Sequence, residues 1–106
     1  MSGLKPVTVP DVRASKGQTP LVMVTAYDAP TARIADDAGV DLILVGDSVA
    51  MVVLGYDDTL QVTVDDMAHH VGAVARTKPR ALVVADLPWM SYHVSPEETV
   101  RNAARL

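Results

Sequence analysis

The chain has 106 residues, a formal net charge of −4 and 49% hydrophobic residues, a composition typical of one soluble globular unit. It contains no cysteine, which excludes disulfides and thiolate metal sites and leaves carboxylates and histidines as metal ligands. Thirteen acidic residues against nine basic ones, with no basic cluster, argue against a nucleic-acid partner. The first 20 residues lack a signal-peptide pattern and there is no run of 18 apolar residues, so we expect a cytoplasmic protein with no membrane partner.

Three short apolar runs have the signature of parallel strands that are buried on both faces. They are residues 21–26 (LVMVTA), 40–46 (VDLILVG) and 81–87 (ALVVADL). Helical segments separate them, so the order predicts an α/β fold with a parallel sheet and right-handed crossovers.

The helices are predicted from their caps and their apolar spacing. A short leading helix is expected at 8–16, closed by Gly17, and a second at 30–38, stopped by Gly39. In the second helix an apolar stripe is expected. Its members are Ile34, Ala35 and Ala38.

Two further helices have stronger start signals. One begins at Thr63, which with Asp66 resembles a capping box, and the next begins at Ser95, where an N-cap is followed by proline and then by glutamate. Apolar residues recur at helical spacing in the first of these two. They are Val64, Met67, Ala68, Val71 and Val74.

Three βα units are too few for a complete fold of either common kind. A closed (β/α)8 TIM-type barrel takes roughly 250 residues, and a doubly wound sheet usually has about five strands. We therefore interpret residues 1–106 as the N-terminal portion of one such domain. Because bare parallel strands with apolar faces favour aggregation, we expect this segment in isolation to be poorly folded.

An acidic residue lies at or just beyond the carboxyl end of each predicted strand: Asp28, Asp47 and Asp86. Parallel α/β enzymes place their sites at this edge, and paired carboxylates there suit Mg²⁺, which takes one or two protein carboxylates and keeps positions for water and substrate. The alternative is that each acid caps a helix or turns a loop, which is the simpler reading of Asp28. For Asp47 and Asp86 both readings stay open.

Other polar residues near these strands are weaker candidates. Ser48 could offer its hydroxyl and amide to an anion, or simply form a turn. His69 and His70 are expected on a solvated or interface face of their helix, away from the strand ends, and His93 is a rim candidate. The apolar stretch 49–54 (VAMVVL), in the long connection after Asp47, is expected to serve as a flap over the site or as a subunit contact.

Four short sequence motifs together resemble those of the ketopantoate hydroxymethyltransferase family. They are TAYD at 25–28, LVGDS at 44–48, GYDDTL at 55–60 and ADLP at 85–88, in the family's order and spacing. Gln61 and Trp89 depart from the proline and phenylalanine common in the family, which affects packing more than chemistry.

The resemblance implies that residues 1–106 are the first three βα units of a (β/α)8 TIM-type barrel. It implies an enzyme that transfers a hydroxymethyl group from 5,10-methylenetetrahydrofolate to 3-methyl-2-oxobutanoate and makes 2-dehydropantoate for pantothenate synthesis. It implies that Asp47 and Asp86 bind Mg²⁺, that Asp47, Ser48 and Asp86 contact the oxo acid, and that the protein is a homo-oligomer. Tyr27 belongs to one of the matching motifs and is expected to line the pocket.

The resemblance also places part of the machinery beyond Leu106. In the family, a lysine that contacts substrate, a glutamate that completes the metal site and the glutamate base all lie further along the chain. We therefore expect no catalytic base in residues 1–106 and no turnover by this segment alone.

The residues also allow two other functions. A magnesium-dependent 2-oxo-acid barrel of the phosphoenolpyruvate mutase or isocitrate lyase type shares the Thr-Ala-x-Asp motif at its first strand. The GDS motif at 46–48 favours the hydroxymethyltransferase instead. A receiver-like signalling domain also clusters acids at strand ends around magnesium, but it needs five strands and a lysine after the last one.

Overall fold

The computed structural model describes residues 5–106, so the first four residues of the predicted domain lie outside the described part. Three strands alternate with helices, and the predicted α/β class is confirmed. In chain order the elements are α1 (Val9–Ala14), β1 (Met23–Thr25), α2 (Ala29–Asp37), β2 (Leu42–Val45), α3 (Val49–Val52), α4 (Val64–Ala75), β3 (Leu82–Ala85) and α5 (Pro96–Arg105).

The strands form one parallel sheet in the order β1-β2-β3. Met23 pairs with Leu42 and Leu42 with Leu82, so the three strands run in step. This order argues against the receiver-like alternative, in which the first strand lies between the second and the third. A barrel and one half of a doubly wound sheet both begin in this order, so barrel closure stays a prediction.

Burial differs sharply between the central strand and its neighbours. Ile43 and Val45 of β2 are fully buried, whereas Met23 of β1 is 46% exposed and β3 is only half-buried throughout. Helix α2 packs on β2, and α4 packs on β2 and β3, which leaves β1 mostly uncovered. The prediction that all three strands are buried on both faces is therefore wrong for β1 and β3 in this chain.

Helix α4 supplies most of the helical side of the core. Met67, Val71 and Val74 are buried at the predicted helical spacing. The predicted capping box is confirmed, because Asp66 N donates to Thr63 Oγ1 (3.0 Å) and Thr63 N donates to Asp66 Oδ2 (3.0 Å). Local capping and a continuous apolar face agree here, and the helix begins where the sequence predicts.

Helix α2 buries a different face from the one predicted. Ala32 is fully buried and Ala35 packs against the core, whereas Ile34 is 69% exposed and Ala38 is also exposed. The predicted stripe is thus wrong for Ile34 and Ala38. Small alanines face β2, and the bulkier Ile34 points away.

The remaining helices are short or terminal. Helix α1 is capped by Thr8 and followed by Gly17 at φ 76°, as predicted, although it ends earlier than expected. Ser95 caps α5 by accepting from Glu98 N at 3.1 Å, which confirms that start signal.

The segment after β2, predicted as a connection, begins with the short helix α3. Val49 and Ala50 of α3 are fully buried. The residues that follow, 51–54, are exposed, and their expected use as a flap or subunit contact stays a prediction.

At the amino-terminal edge of the sheet, carboxylates hold backbone groups of other elements. Asp36 accepts from Arg80 N (3.1 Å) and from Ala81 N (2.9 Å), directly before β3. Asp41 accepts from Val22 N at 2.9 Å, directly before β1. These bonds join segments 19 to 45 residues apart and fix where the outer strands enter the sheet.

Within residues 5–106, no helix is both long and apolar enough to cross a membrane.

Candidate functional site

The carboxyl edge of the sheet gathers the residues singled out from the sequence. Tyr27 lies two residues beyond β1, Asp47 and Ser48 follow β2, and Asp86 comes directly after β3. Since the strands are parallel and in step, these side chains meet at one edge. The structure therefore brings together Tyr27, Asp47, Ser48 and Asp86, as the sequence predicts.

A direct hydrogen bond links the two predicted carboxylate residues. Asp47 N donates to Asp86 Oδ2 at 3.0 Å, and both residues are half-buried. Gly46 lies beneath this contact, where an added Cβ would be 3.3 Å from Asp86 Oδ2 and 3.3 Å from Ser48 Oγ. Glycine at this position lets the backbone just after β2 approach both side chains closely.

Burial raises the pKa of the Asp47 carboxyl above its ordinary value, and the nearby Asp86 carboxylate raises it further. The backbone N–H groups of Asp47 and Ser48 oppose this rise. Two carboxylates in a half-buried pocket repel each other when both are ionised, and a bound cation relieves that repulsion. The electrostatics of the pair therefore fit a cation-binding role.

The described part of the chain does not contain a complete metal cage. Within residues 5–106, no group of three or more His, Cys, Asp or Glu side chains could together hold a metal ion. Mg²⁺ is commonly held by one or two carboxylates, with water and substrate oxygens completing an octahedron. Asp47 and Asp86 fit such a partial set, and a magnesium ion at this pair remains a prediction.

Ser48 has an aromatic partner rather than a capping role. The Tyr27 hydroxyl lies 2.6 Å from Ser48 Oγ, and both residues are half-buried. Ser48 precedes α3, but its side chain makes no capping hydrogen bond. The serine hydroxyl is therefore directed towards Tyr27 and the carboxyl edge of the sheet.

His70 corrects one expectation from the sequence. Its ring Nδ1 lies 2.8 Å from the carbonyl oxygen of Tyr27, and the residue is half-buried rather than solvated. A polar helix face predicted the opposite, because nothing in the local pattern shows a contact 43 residues away. The neighbouring His69 is exposed, as expected.

Asp28 serves a structural purpose at this same edge. It caps α2 by accepting from Thr31 N at 2.9 Å, and the hydrogen bonds from Thr31 lower the pKa of the Asp28 carboxyl. The simpler interpretation of Asp28 is therefore confirmed.

His93 is held within the loop that follows β3. Its Nδ1 accepts from Met90 N at 3.1 Å, and its ring packs beside Tyr92 and Trp89. Met90 has a positive φ of 67°, so this bond stabilises a tight turn. An open cleft of about 480 Å³ borders this loop, but neither Asp47 nor Asp86 lines it. His93 thus has a local structural explanation.

Comparison with known proteins gives consistent matches along nearly the whole chain. A sequence profile described as ketopantoate hydroxymethyltransferase matches residues 6–106. A curated protein of Pyrobaculum calidifontis, named 3-methyl-2-oxobutanoate hydroxymethyltransferase, is 60% identical over 100 residues, covering 94% of this chain and 38% of that protein. A protein of the same name from Ignicoccus hospitalis is 58% identical over 104 residues, 97% of this chain and 40% of its own length. The corresponding protein of Geobacillus kaustophilus is 62% identical over 87 residues, 82% of this chain and 31% of its own. The chain thus spans less than half the length of these relatives.

Proposed function

The chain belongs to the ketopantoate hydroxymethyltransferase family, and from this premise we propose that it forms the metal-binding and oxo-acid-binding part of such an enzyme. The reaction is transfer of a hydroxymethyl group from 5,10-methylenetetrahydrofolate to 3-methyl-2-oxobutanoate, giving 2-dehydropantoate in pantothenate synthesis. The observation that carries the proposal is the hydrogen bond between Asp47 N and Asp86 Oδ2 at 3.0 Å. Both residues belong to motifs that match the family.

In this proposal Asp47 and Asp86 hold Mg²⁺ at the carboxyl edge of the sheet. The ion supplies positive charge for the carboxylate and keto oxygens of the oxo acid, which makes the neighbouring carbon more acidic. The hydrogen bond from Asp47 N to Asp86 Oδ2 would hold the Asp86 carboxylate in place for the ion. The raised pKa of Asp47 is what a half-buried site with two like charges produces before a cation is bound.

Ser48 binds the oxo acid beside the metal pair. Its hydroxyl is not used to cap α3 and lies at the same edge as the carboxylates. A hydroxyl donor there fixes the orientation of the acid, so that its carboxylate and keto oxygens face the pair. Tyr27 lines this part of the pocket.

The rest of the catalytic machinery belongs to later parts of the family's sequence. The three βα units form the first part of a (β/α)8 barrel, and the general base acts from a later strand. The complete enzyme is a cytoplasmic homo-oligomer. This division assigns binding to residues 1–106 and proton removal to a group outside them.

A chimeric enzyme tests this proposal. Residues 6–106 replace the matching segment of the Pyrobaculum calidifontis relative, which is 60% identical over 100 residues, so that a complete catalytic domain carries this chain's site. We expect magnesium-dependent formation of 2-dehydropantoate by the chimera. Asp47→Asn and Asp86→Asn should each lower kcat/KM by about 100-fold or more, because each removes negative charge that holds Mg²⁺, and the ion stabilises the charge that develops on the oxo acid.

Metal binding has its own readout, independent of turnover. Adding MgCl₂ should raise the melting temperature of the parent chimera, since a ligand that binds only the folded state stabilises it. The Asp47→Asn variant should lose this shift, and Glu97→Gln, on an exposed turn of α5, should keep both shift and activity. Full activity of the Asp47→Asn and Asp86→Asn variants would refute the proposal.

A further inference from the structure

We propose that Tyr27 and His70 are positioning residues for the Ser48 hydroxyl: His70 fixes the backbone of Tyr27, and Tyr27 donates to Ser48 Oγ so that the serine proton is free for the oxo acid. The inference rests on the proposed function of Ser48. It adds two residues, one of them on a helix, to the part of the site that orients substrate.

The contact between the two hydroxyls sets the direction of the serine proton. Tyr27 OH and Ser48 Oγ are 2.6 Å apart, a normal distance for a strong O–H···O hydrogen bond. When Tyr27 donates, Ser48 Oγ accepts and its own proton can point elsewhere. An anionic oxo acid offers only acceptors, so Ser48 can donate to substrate only when Tyr27 is the donor within the pair. In the reverse arrangement the free proton would be on Tyr27.

His70 holds Tyr27 at a point where the sheet no longer does. The ladder continues as far as Ala26, whose N–H donates to Leu44 O at 3.1 Å, and α2 begins only after Asp28. Tyr27 lies between these two supports. Its carbonyl accepts from His70 Nδ1 at 2.8 Å, which ties the residue to α4.

The partner atom identifies the protonated nitrogen of His70. A carbonyl oxygen can only accept, so Nδ1 carries the proton and donates. This bond restrains the backbone from which the Tyr27 ring projects, and a displacement of that ring would break its 2.6 Å contact with Ser48. Coupling thus runs from α4 through the backbone of Tyr27 to a side chain on the segment after β2.

The chimera described above allows a direct test with Tyr27→Phe, which keeps the ring and removes only the hydroxyl. We expect KM for 3-methyl-2-oxobutanoate to rise roughly 2- to 10-fold, the range for one hydrogen bond. KM for methylenetetrahydrofolate and the melting temperature should stay unchanged. A purely structural tyrosine would instead leave both KM values alone or lower the melting temperature.

A double-mutant cycle shows whether Tyr27 acts through Ser48. Ser48→Ala alone should raise the same KM, and adding Tyr27→Phe to it should have no further effect. Additive effects of the two substitutions would overturn the inference, because Tyr27 would then be acting on substrate by itself or on something else.

Variants of His70 test the remote end. Asn places an amide nitrogen near the position of Nδ1, so His70→Asn should keep the oxo-acid KM of the parent, whereas His70→Ala should raise it about as much as Tyr27→Phe does. His69→Ala is the matched control, since it removes the exposed neighbour and leaves the Tyr27 bond in place.

The outcomes separate this inference from the proposed function. An active parent chimera that loses activity with Asp47→Asn but binds the oxo acid unchanged with Tyr27→Phe and His70→Ala would overturn the positioning role alone. An inactive parent chimera would count against the proposed function itself. In that case, unchanged binding of 3-methyl-2-oxobutanoate by the Tyr27→Phe chimera, measured by calorimetry, would overturn the positioning role as well.

Discussion

Aspartates lie at both edges of the sheet, and their surroundings differ. At the amino-terminal edge, Asp36 accepts two backbone N–H bonds and Asp41 accepts one, so both acids hold segments in place. At the carboxyl edge, one oxygen of Asp86 accepts from Asp47 N, and the neighbouring Asp47 carboxyl has a raised pKa. Asp28, also at the carboxyl edge, caps a helix, so position near a strand end does not by itself identify a structural acid. What sets Asp47 and Asp86 apart is that two half-buried acids lie side by side.

Asp36→Asn should have the largest effect on stability. The amide keeps one acceptor oxygen and turns an NH₂ group towards the other backbone donor, which leaves a half-buried N–H without its partner. We expect the free energy of unfolding of the chimera to fall by about 1–3 kcal/mol, measured by chemical denaturation. At a temperature where the variant is folded, kcat/KM should stay close to that of the parent. A large loss of activity in a stably folded Asp36→Asn variant would erase the contrast between the two edges.

Asp28 tests whether an acid at the carboxyl edge can be purely structural. Asp28→Ala removes the cap of α2 and should lower the melting temperature of the chimera by about 3 °C, while it lowers kcat/KM far less than Asp47→Asn does. Because hydrogen bonds from Thr31 lower the pKa of Asp28 in the folded state, the stabilisation is present above the unfolded pKa of about 3.9. It is lost as pH falls through the lowered folded value, so the two proteins should converge there. Asp28→Asn, which also caps, should not show this pH dependence.

Asp47→Asn should have the smallest effect on stability, and in the opposite direction. The folded state raises the pKa of Asp47, so ionising this carboxyl opposes folding above the folded pKa and has no such cost below the unfolded value near 3.9. In EDTA at pH 7 the variant should therefore melt slightly above the parent chimera, and the difference should disappear in acid. A lower melting temperature at pH 7 would show that the Asp47 carboxylate is stabilising, like Asp36.

The local features of the fold were predictable from sequence. The caps at Thr63 and Ser95 and the buried face of α4 depend on residues within a few positions of one another. Both caps were confirmed, and Met67, Val71 and Val74 of the predicted face are buried. The other two members, Val64 and Ala68, are half-buried. The meeting of Asp47 and Asp86 was also predictable, because parallel strands place their carboxyl ends together.

The features that were missed depend on distant contacts. Nothing in the sequence around His70 shows that it reaches Tyr27, and nothing around Asp36 shows that it holds the start of β3. The exposure of Ile34 and of Met23 likewise follows from which helix covers which strand. Local periodicity predicts that a residue lies on the apolar face of its own helix or strand. It does not identify the element that will cover that face.

The strand register has a further consequence for the precision of the site. Val45 pairs with Ala85, and the bond from Asp47 to Asp86 comes immediately after this last rung of the ladder. A slip of one residue between β2 and β3 would displace the two acids by about 3.3 Å and reverse the face on which each side chain lies. The spacing of the two carboxylates is thus set by the backbone pairing of β2 with β3. Any change that shifts this pairing would also change the distance between Asp47 and Asp86.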